Sequence, residues 1–334
     1  MNIKIIQGDC TRSLLNLDNK SIDTIITSPP YYALRNYNDE EEQVGLEATP
    51  ELYIQKLVSI FRIARTKLKD DGTVWLNLGD SYAGSNGNGY KQTISKYNRS
   101  NNAKESVSFR DKYKRQDTGY KPKDLMLIPF RVAYALQQDG WYLRQDIIWN
   151  KPNPMPESVK DRCTKAHEYI FLLSKSQRYY FDSEAIKEEA VTQGQKKISP
   201  SGWDISKKGS HGSFHKEGRS TEHYEFEQNE KRNKRSVWTV TPKSFKGAHF
   251  ATFPEDLIDP CVLAGSKEGG TVLDIFAGSG TTGIVANNHN RNAILLELNK
   301  EYIEIAEKRI LDQGSLFTDL EIIYEENENK RRIS

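Results

Sequence analysis

Apolar and polar positions follow two periods along the chain. Residues 3–6 and 24–26 are short β-branched runs that suit buried strands. Leu52, Tyr53, Leu57, Ile60, Phe61 and Ala64 recur at helical spacing between Pro50 and Leu68, and Asp70-Asp71-Gly72 supplies a stop. Residues 73–78 read as a strand. Asp124 is placed to cap a helix that runs through Val132, Ala133 and Leu136 to Gly140. Residues 141–149 and 169–173 are extended by the same criteria. Later, residues 271–276 and 293–297 are strands, with a helix beginning at Ile284-Val285-Ala286 between them. Tyr302, Ile305, Ala306 and Ile310 form the stripe of a last helix. This alternation predicts an α/β fold, Rossmann-like, with a mainly parallel, doubly wound sheet.

Two segments break the alternation. Residues 84–123 carry ten Lys/Arg against three Asp/Glu and almost no aliphatics. Residues 183–246 carry thirteen Lys/Arg against nine Asp/Glu. Both are too polar to build a core alone and read either as solvated loops or as segments that order on a phosphate backbone. Interleaved aromatics, among them Tyr90, Tyr97, Tyr113, Trp203 and Tyr224, favour nucleic acid. Lys112, Lys114 and Arg115 in the first segment, and Lys231, Arg232, Lys234 and Arg235 in the second, are the candidate phosphate contacts. The net charge of the whole chain is only +2, so any basic surface is local. Three well-separated cysteines suggest neither a disulfide framework nor a metal site, and a metal is not expected. No apolar run approaches the ~20 residues a membrane span needs. The first residues enter a strand without a signal peptide, so a cytoplasmic location is expected.

Two short motifs carry chemistry. Ser28-Pro29-Pro30-Tyr31 follows an apolar strand, and its prolines stop that strand in a rigid turn. Ser28 offers a hydroxyl, the turn offers carbonyl groups, and Tyr31 offers a flat ring; together they suit a planar amine-bearing group such as a flipped nucleobase. A strand-ending turn with a packed tyrosine is the plainer reading. The second motif is a strand ending at Asp274-Ile275-Phe276, a turn Ala277-Gly278-Ser279-Gly280-Thr281-Thr282-Gly283, and a following strand that ends in Glu297. Glycines let a backbone approach a ligand closely, and a carboxylate at that offset takes ribose hydroxyls. Alone, this fits a nicotinamide enzyme as well as any other user of a nucleoside cofactor.

Taken together, the motifs resemble those of the β group of DNA amino-methyltransferases, in which (Asp/Asn/Ser)-Pro-Pro-(Tyr/Phe) precedes the cofactor loop. The resemblance spans nearly the whole chain. It implies S-adenosylmethionine as cofactor, double-stranded DNA as substrate, and Ser28, Pro29, Pro30 and Tyr31 as the catalytic turn. It also implies cofactor contacts from Asp274, Phe276, Gly278, Ser279, Gly280, Thr281 and Glu297. Gly8-Asp9-Cys10 looks like the segment beside the adenine, and His249 begins a stretch that looks like the segment beside the methionine moiety. Ser at the first motif position is used in this family mostly for cytosine N4, with adenine N6 as the alternative. An enzyme acting on RNA or protein, or a non-catalytic DNA-binding module, fits less of the pattern. A cognate restriction endonuclease is a candidate partner, and monomer or homodimer is left open.

The implied organisation is a circularly permuted core with polar DNA-recognition insertions. Residues 1–83 form the catalytic-motif half, 84–123 a basic insert and 124–182 more core. Residues 183–246 form the target-recognition region and 247–334 the cofactor-binding part. Residues 151–158 resemble a loop that closes over a flipped base, and equally a proline-stiffened crossover. Asp80, after the strand, can cap a turn or touch substrate, and the cap is the expectation. His167 and His249 can be drawn as bases, but the chemistry does not need them.

Overall fold

The computed structural model describes residues 1–32, 43–83, 120–190, 231–242, 253–314, 318–324 and 329–333. They fall in two compact units, Met1–Ala185 with Arg235–Ser334, and Ile186–Lys234. In the first unit the strands are β1 (Asn2–Gln7), β2 (Ile22–Thr27), β3 (Leu68–Leu78), β4 (Tyr142–Asn150), β5 (His167–Ser174), β8 (Val237–Thr239), β9 (Thr271–Asp274), β10 (Asn292–Glu297), β11 (Asp319–Tyr324) and β12 (Asn329–Ile333). The second unit contributes β6 (Glu188–Glu189) and β7 (Lys231–Arg232), an antiparallel pair.

The ten strands of the first unit form one sheet in the order β12-β11-β1-β10-β9-β2-β3-β5-β4-β8. From β11 to β3 all neighbours are parallel, whereas β5 runs antiparallel to both β3 and β4. The N-terminal strand β1 lies between β10 and β11, as a circular permutation requires.

Helices cover both faces. They are α1 (Cys10–Leu15), α2 (Pro50–Lys67), α3 (Ile128–Gln138), α4 (Glu255–Gly265), α5 (Thr281–Asn288) and α6 (Lys300–Gln313). Successive strand residues point to opposite faces. Ile25, Val74, Leu76 and Leu273 share a buried cluster with Leu14 of α1, Leu57 and Phe61 of α2 and Val132 of α3. Their neighbours Thr24 and Trp75 face the other way, against Gly265 of α4. Burying each large apolar side chain contributes about 1.5–3 kcal/mol, so these two layers supply most of the drive to fold.

Local details depart from the sequence reading. Leu52 is 47% exposed, and Ile54 takes the buried place on α2. On α6 Ile303, not Ile305, is buried. Asp70-Asp71-Gly72 does not end α2; the helix passes straight into β3 at Leu68, and the acidic triplet makes a bulge against β2. Asp124 does not cap α3. Leu127 occupies the cap in left-handed geometry, and Asp80, from beyond the end of β3, accepts the Ile128 N–H at 3.0 Å and the Ser81 N–H at 2.9 Å. A carboxylate brought by the fold replaces the local cap that spacing suggested.

The chain leaves β9 for β10 through α5 and leaves β2 for β3 through α2, in opposite directions along the sheet. The reversal between β9 and β2 opens a crevice at their carboxyl ends, where open α/β sheets bind ligands.

Candidate active site

β9 ends at Asp274, whose carboxylate is fully buried. Its Oδ1 accepts the Thr27 hydroxyl at 2.7 Å and the Phe276 N–H at 3.1 Å, and its Oδ2 accepts the Thr282 hydroxyl at 2.5 Å. Asp274 thereby joins β9, the glycine turn, α5 and the end of β2. Burial raises its pKa to about 6, against the opposing pull of those hydrogen bonds.

Glu297 ends β10. Its two oxygens accept the Gly278 N–H at 2.7 Å and the Asn299 N–H at 2.9 Å. Burial is the main cause that lifts its pKa to about 7. Gln7 of β1 pairs with Glu297, and the Gly8 N–H donates to the Glu297 carbonyl, so Asp9 arrives at the same end of the sheet. Asp9 Oδ1 caps α1 by accepting from Thr11 N and Arg12 N. Cys10 is buried behind it, with its thiol pushed up to about 12, chiefly by burial.

The two glycines of the turn serve different needs. A Cβ at Gly278, where φ is +51°, would meet nothing within 4 Å, so this position faces open space. A Cβ at Gly280 would lie 2.8 Å from Ala306 Cβ, so this glycine lets the turn pack on α6. Ser279 and Thr281 are buried, and Arg309 of α6 holds them from behind. Its Nη1 donates to the Ser279 carbonyl and hydroxyl at 2.7 Å and to the Thr281 hydroxyl at 3.0 Å.

Across the crevice stands the proline turn. Ser28 Oγ lies 3.3 Å from Asn77 Oδ1, to which it donates. Tyr31 lays its ring against Gly79, where a Cβ would come within 2.5 Å of the ring. Its hydroxyl donates to Glu168 Oε2 at 2.7 Å, with Asn77 Oδ1 at 3.2 Å. Burial, then Glu168, raises the Tyr31 pKa well above its ordinary value, so the phenol keeps its proton. The Pro30 carbonyl accepts the hydroxyl of Tyr53 from α2 at 2.9 Å. Lys151, just past β4, forms an ion pair with Glu168 and stands over the Trp149 ring.

Residues 151–166 hang from the same edge. Glu157 Oε2 accepts from Arg162 Nη1 at 2.7 Å, Arg162 lies over the Tyr82 ring, and Lys165 Nζ donates to the Asp80 carbonyl at 2.7 Å. His167 contacts Tyr169 Oη at 3.0 Å and makes no described bond to the turn.

The fold therefore gathers Asp9, Asp274, Phe276, Gly278, Glu297 and the Ser28–Tyr31 turn at adjoining strand ends. In the second unit Arg232 Nε pairs with Glu188 at 2.9 Å, while Lys231 is exposed beside it on β7. Arg235 belongs to the first unit, where its carbonyl accepts the Trp238 indole N–H. His249, Lys112, Lys114 and Arg115 lie outside the described residues. Sequence reading missed Asn77, Glu168, Tyr53 and Arg309, and named Lys151 only as the first residue of the 151–158 loop. Only Asn77 left a signal, as a polar residue in the otherwise apolar run Val74-Trp75-Leu76-Asn77-Leu78.

Known proteins share this pattern. A DNA methylase family model, that of the N6/N4 methyltransferases, matches residues 22–308. Type II methyltransferase M.Cfr9I of Citrobacter freundii is 44% identical over 308 residues, covering 92% of this chain and 87% of the relative. Type II methyltransferase M.SmaI of Serratia marcescens is also 44% identical over 308 residues, covering 92% and 90%. Among solved structures, the PvuII DNA methyltransferase (cytosine-N4-specific) matches with TM-score 0.60 at 18% identity, over 94% of this chain and 89% of that one. TTHA0409 of Thermus thermophilus, solved with S-adenosyl-L-methionine, matches with TM-score 0.56 at 19% identity, over 96% and 99%. With both motifs inside the matched span and both facing one crevice, this chain belongs to the N6/N4 DNA methylase family, the S-adenosylmethionine-dependent methyltransferases of DNA.

Proposed function

We propose that the chain methylates the exocyclic N4 amine of cytosine in duplex DNA, after that base has left the helix. The observation that carries methylation of an exocyclic amine is the orientation of Ser28, and the serine at the first position of the motif favours cytosine over adenine. Its hydroxyl hydrogen is directed at Asn77 Oδ1, which leaves its lone pairs as what it offers a substrate at the end of β2. With the Pro30 carbonyl engaged by Tyr53, the Pro29 carbonyl is the second acceptor assigned to the amine.

The residues of the opposite strand ends fit the cofactor. Glu297 offers a carboxylate to ribose hydroxyls, Gly278 opens on space beside it, and Asp9 stands at the neighbouring strand end for the adenine. When bound, S-adenosylmethionine supplies an electrophilic methyl group on sulfur.

An exocyclic amine is a poor nucleophile because its lone pair is delocalised into the ring. Ser28 Oγ and the Pro29 carbonyl accept its two hydrogens and so favour a pyramidal nitrogen with its lone pair directed away from the turn. They also stabilise the positive charge that builds there, as preformed dipoles that need no reorganisation. The turn's remaining contribution is alignment at near-attack distance. The proton shed by the amine leaves to water, by way of its hydrogen bond to Ser28 or directly. Tyr31, held at its edge by Glu168 and backed by Gly79, gives the base a fixed aromatic neighbour.

We further assign residues 84–123 and 183–246 to embracing the duplex; both lie largely outside the described residues. The test is transfer of labelled methyl from S-adenosylmethionine to unmethylated duplex DNA. The wild type should label the DNA, and Ser28→Ala should do so about 10- to 1000-fold more slowly, the span expected for loss of a preorganised polar contact. Equal labelling by both would remove Ser28 from the chemistry.

A further inference from the structure

We infer that Glu168 is a positioning residue that sets the direction of the hydrogen bonds at the catalytic turn, so that Ser28 meets the substrate as an acceptor. This rests on the reading of Ser28 given above. Asn77 stands between the two side chains, and its amide has a donor end and an acceptor end. One end faces the Tyr169 carbonyl at 3.1 Å and Glu168 Oε2 at 3.4 Å. Both of those groups only accept, so the end that faces them must be the NH2. The Asn77 oxygen is then turned to Ser28 at 3.3 Å and takes the single hydrogen of its hydroxyl. Ser28 keeps only lone pairs for a ligand.

Turned round, Asn77 would donate to Ser28. The serine hydrogen would then point outward, toward the hydrogens of the amine it is meant to receive. Glu168 opposes this in two ways. It accepts from Asn77 directly, and it accepts from Tyr31 at 2.7 Å, which fixes the phenol beside the same amide. Its other oxygen is paired with Lys151, and the side chains of that pair are only 18% and 16% exposed. A half-buried carboxylate with its counter-charge in place is an acceptor at every lone pair. A glutamine there would bring an NH2 of its own, and the direction of the chain would rest on the Tyr169 carbonyl alone.

The experiment is single-turnover methyl transfer, with enzyme in excess over unmethylated genomic duplex and saturating labelled S-adenosylmethionine. Four variants are compared with wild type: Glu168→Gln, Glu168→Asp, Ser28→Ala and the double Ser28→Ala/Glu168→Gln. Glu168→Gln should slow transfer roughly 10- to 100-fold, below the direct loss of a catalytic contact, with cofactor affinity unchanged. Glu168→Asp keeps an acceptor-only group and should recover most of the rate. The double variant should be no slower than Ser28→Ala, because the carboxylate acts through the serine. Glu168→Gln at the wild-type rate overturns the inference. So does Glu168→Asp as slow as Glu168→Gln, a double variant whose losses multiply, or a Glu168→Gln loss accompanied by weaker cofactor binding. Ser28→Ala at the wild-type rate would instead overturn the reading of the turn itself.

Discussion

Thr27 Oγ1 donates to Asp274 Oδ1 across 2.7 Å, between residues 247 positions apart in the chain. Thr27 is the last residue of β2, next to Ser28, and Asp274 is the last residue of β9, next to the glycine turn. One buried bond thus ties together the ends of the two paired strands that carry the motifs. Thr27→Val keeps the shape and leaves the carboxylate short of a donor, which costs about 1–3 kcal/mol. A denaturant titration should show that loss. It should grow with pH, because the group holds its proton up to about pH 6. A raised carboxyl pKa gives stability that is complete below the unfolded value of 3.8 and is lost as pH rises through the folded value. Without the Thr27 hydroxyl, which favours the ionised form, the folded value rises further and the loss at neutral pH deepens.

Glu297 titrates near pH 7 in the folded chain, against 4.5 for an ordinary glutamate. Its stability contribution is therefore complete below 4.5 and lost through about 7. Ribose hydroxyls donating to it would favour the carboxylate, so cofactor binding should release a proton. Affinity should tighten as pH rises from about 6 to 8, by less than the tenfold per unit that linkage to one proton allows. Calorimetry in buffers of different ionisation enthalpy reads this directly. Proton uptake, or no pH dependence, would place the ribose elsewhere.

Substitutions at the two turn glycines should separate. Gly278→Ala puts a methyl into open space at positive φ, a strain of roughly 1–2 kcal/mol, and should weaken cofactor binding more than it lowers the melting temperature. Gly280→Val drives side-chain atoms into Ala306 on α6 and should lower the melting temperature first. Thermal melting with and without S-adenosylmethionine distinguishes the two patterns.

Neutralising Lys231, Arg232, Lys234 and Arg235 together should weaken binding to every duplex. The slope of log affinity against log salt should fall by roughly 0.9 for each phosphate contact removed. Arg232 already pairs with Glu188, so the fall should correspond to fewer than four contacts. An unchanged slope would show that these residues do not touch phosphates.

The sequence made the sheet, its permutation and the two motifs legible, because each rests on a local pattern: an apolar run, a proline pair, a spaced set of glycines. What it hid depends on contacts between distant strands. Asp80 caps α3 from 48 residues away, which no window around Asp124 reveals. Glu168 reaches Tyr31 across 137 residues because β5 runs antiparallel to β3 and brings its first residues to the carboxyl edge. Gly280 looked like a ligand-facing glycine, and only the packing of α6 shows that it faces Ala306.

The most direct measurement is the identity of the methylated base. Duplex DNA incubated with the enzyme and S-adenosylmethionine carrying a deuterated methyl group is digested to nucleosides and resolved by mass spectrometry. Deuterated N4-methyldeoxycytidine, strongly reduced with Ser28→Ala, is the expected product. Deuterated N6-methyldeoxyadenosine alone would contradict the cytosine assignment, and deuterium in no nucleoside would contradict methylation of DNA by this site.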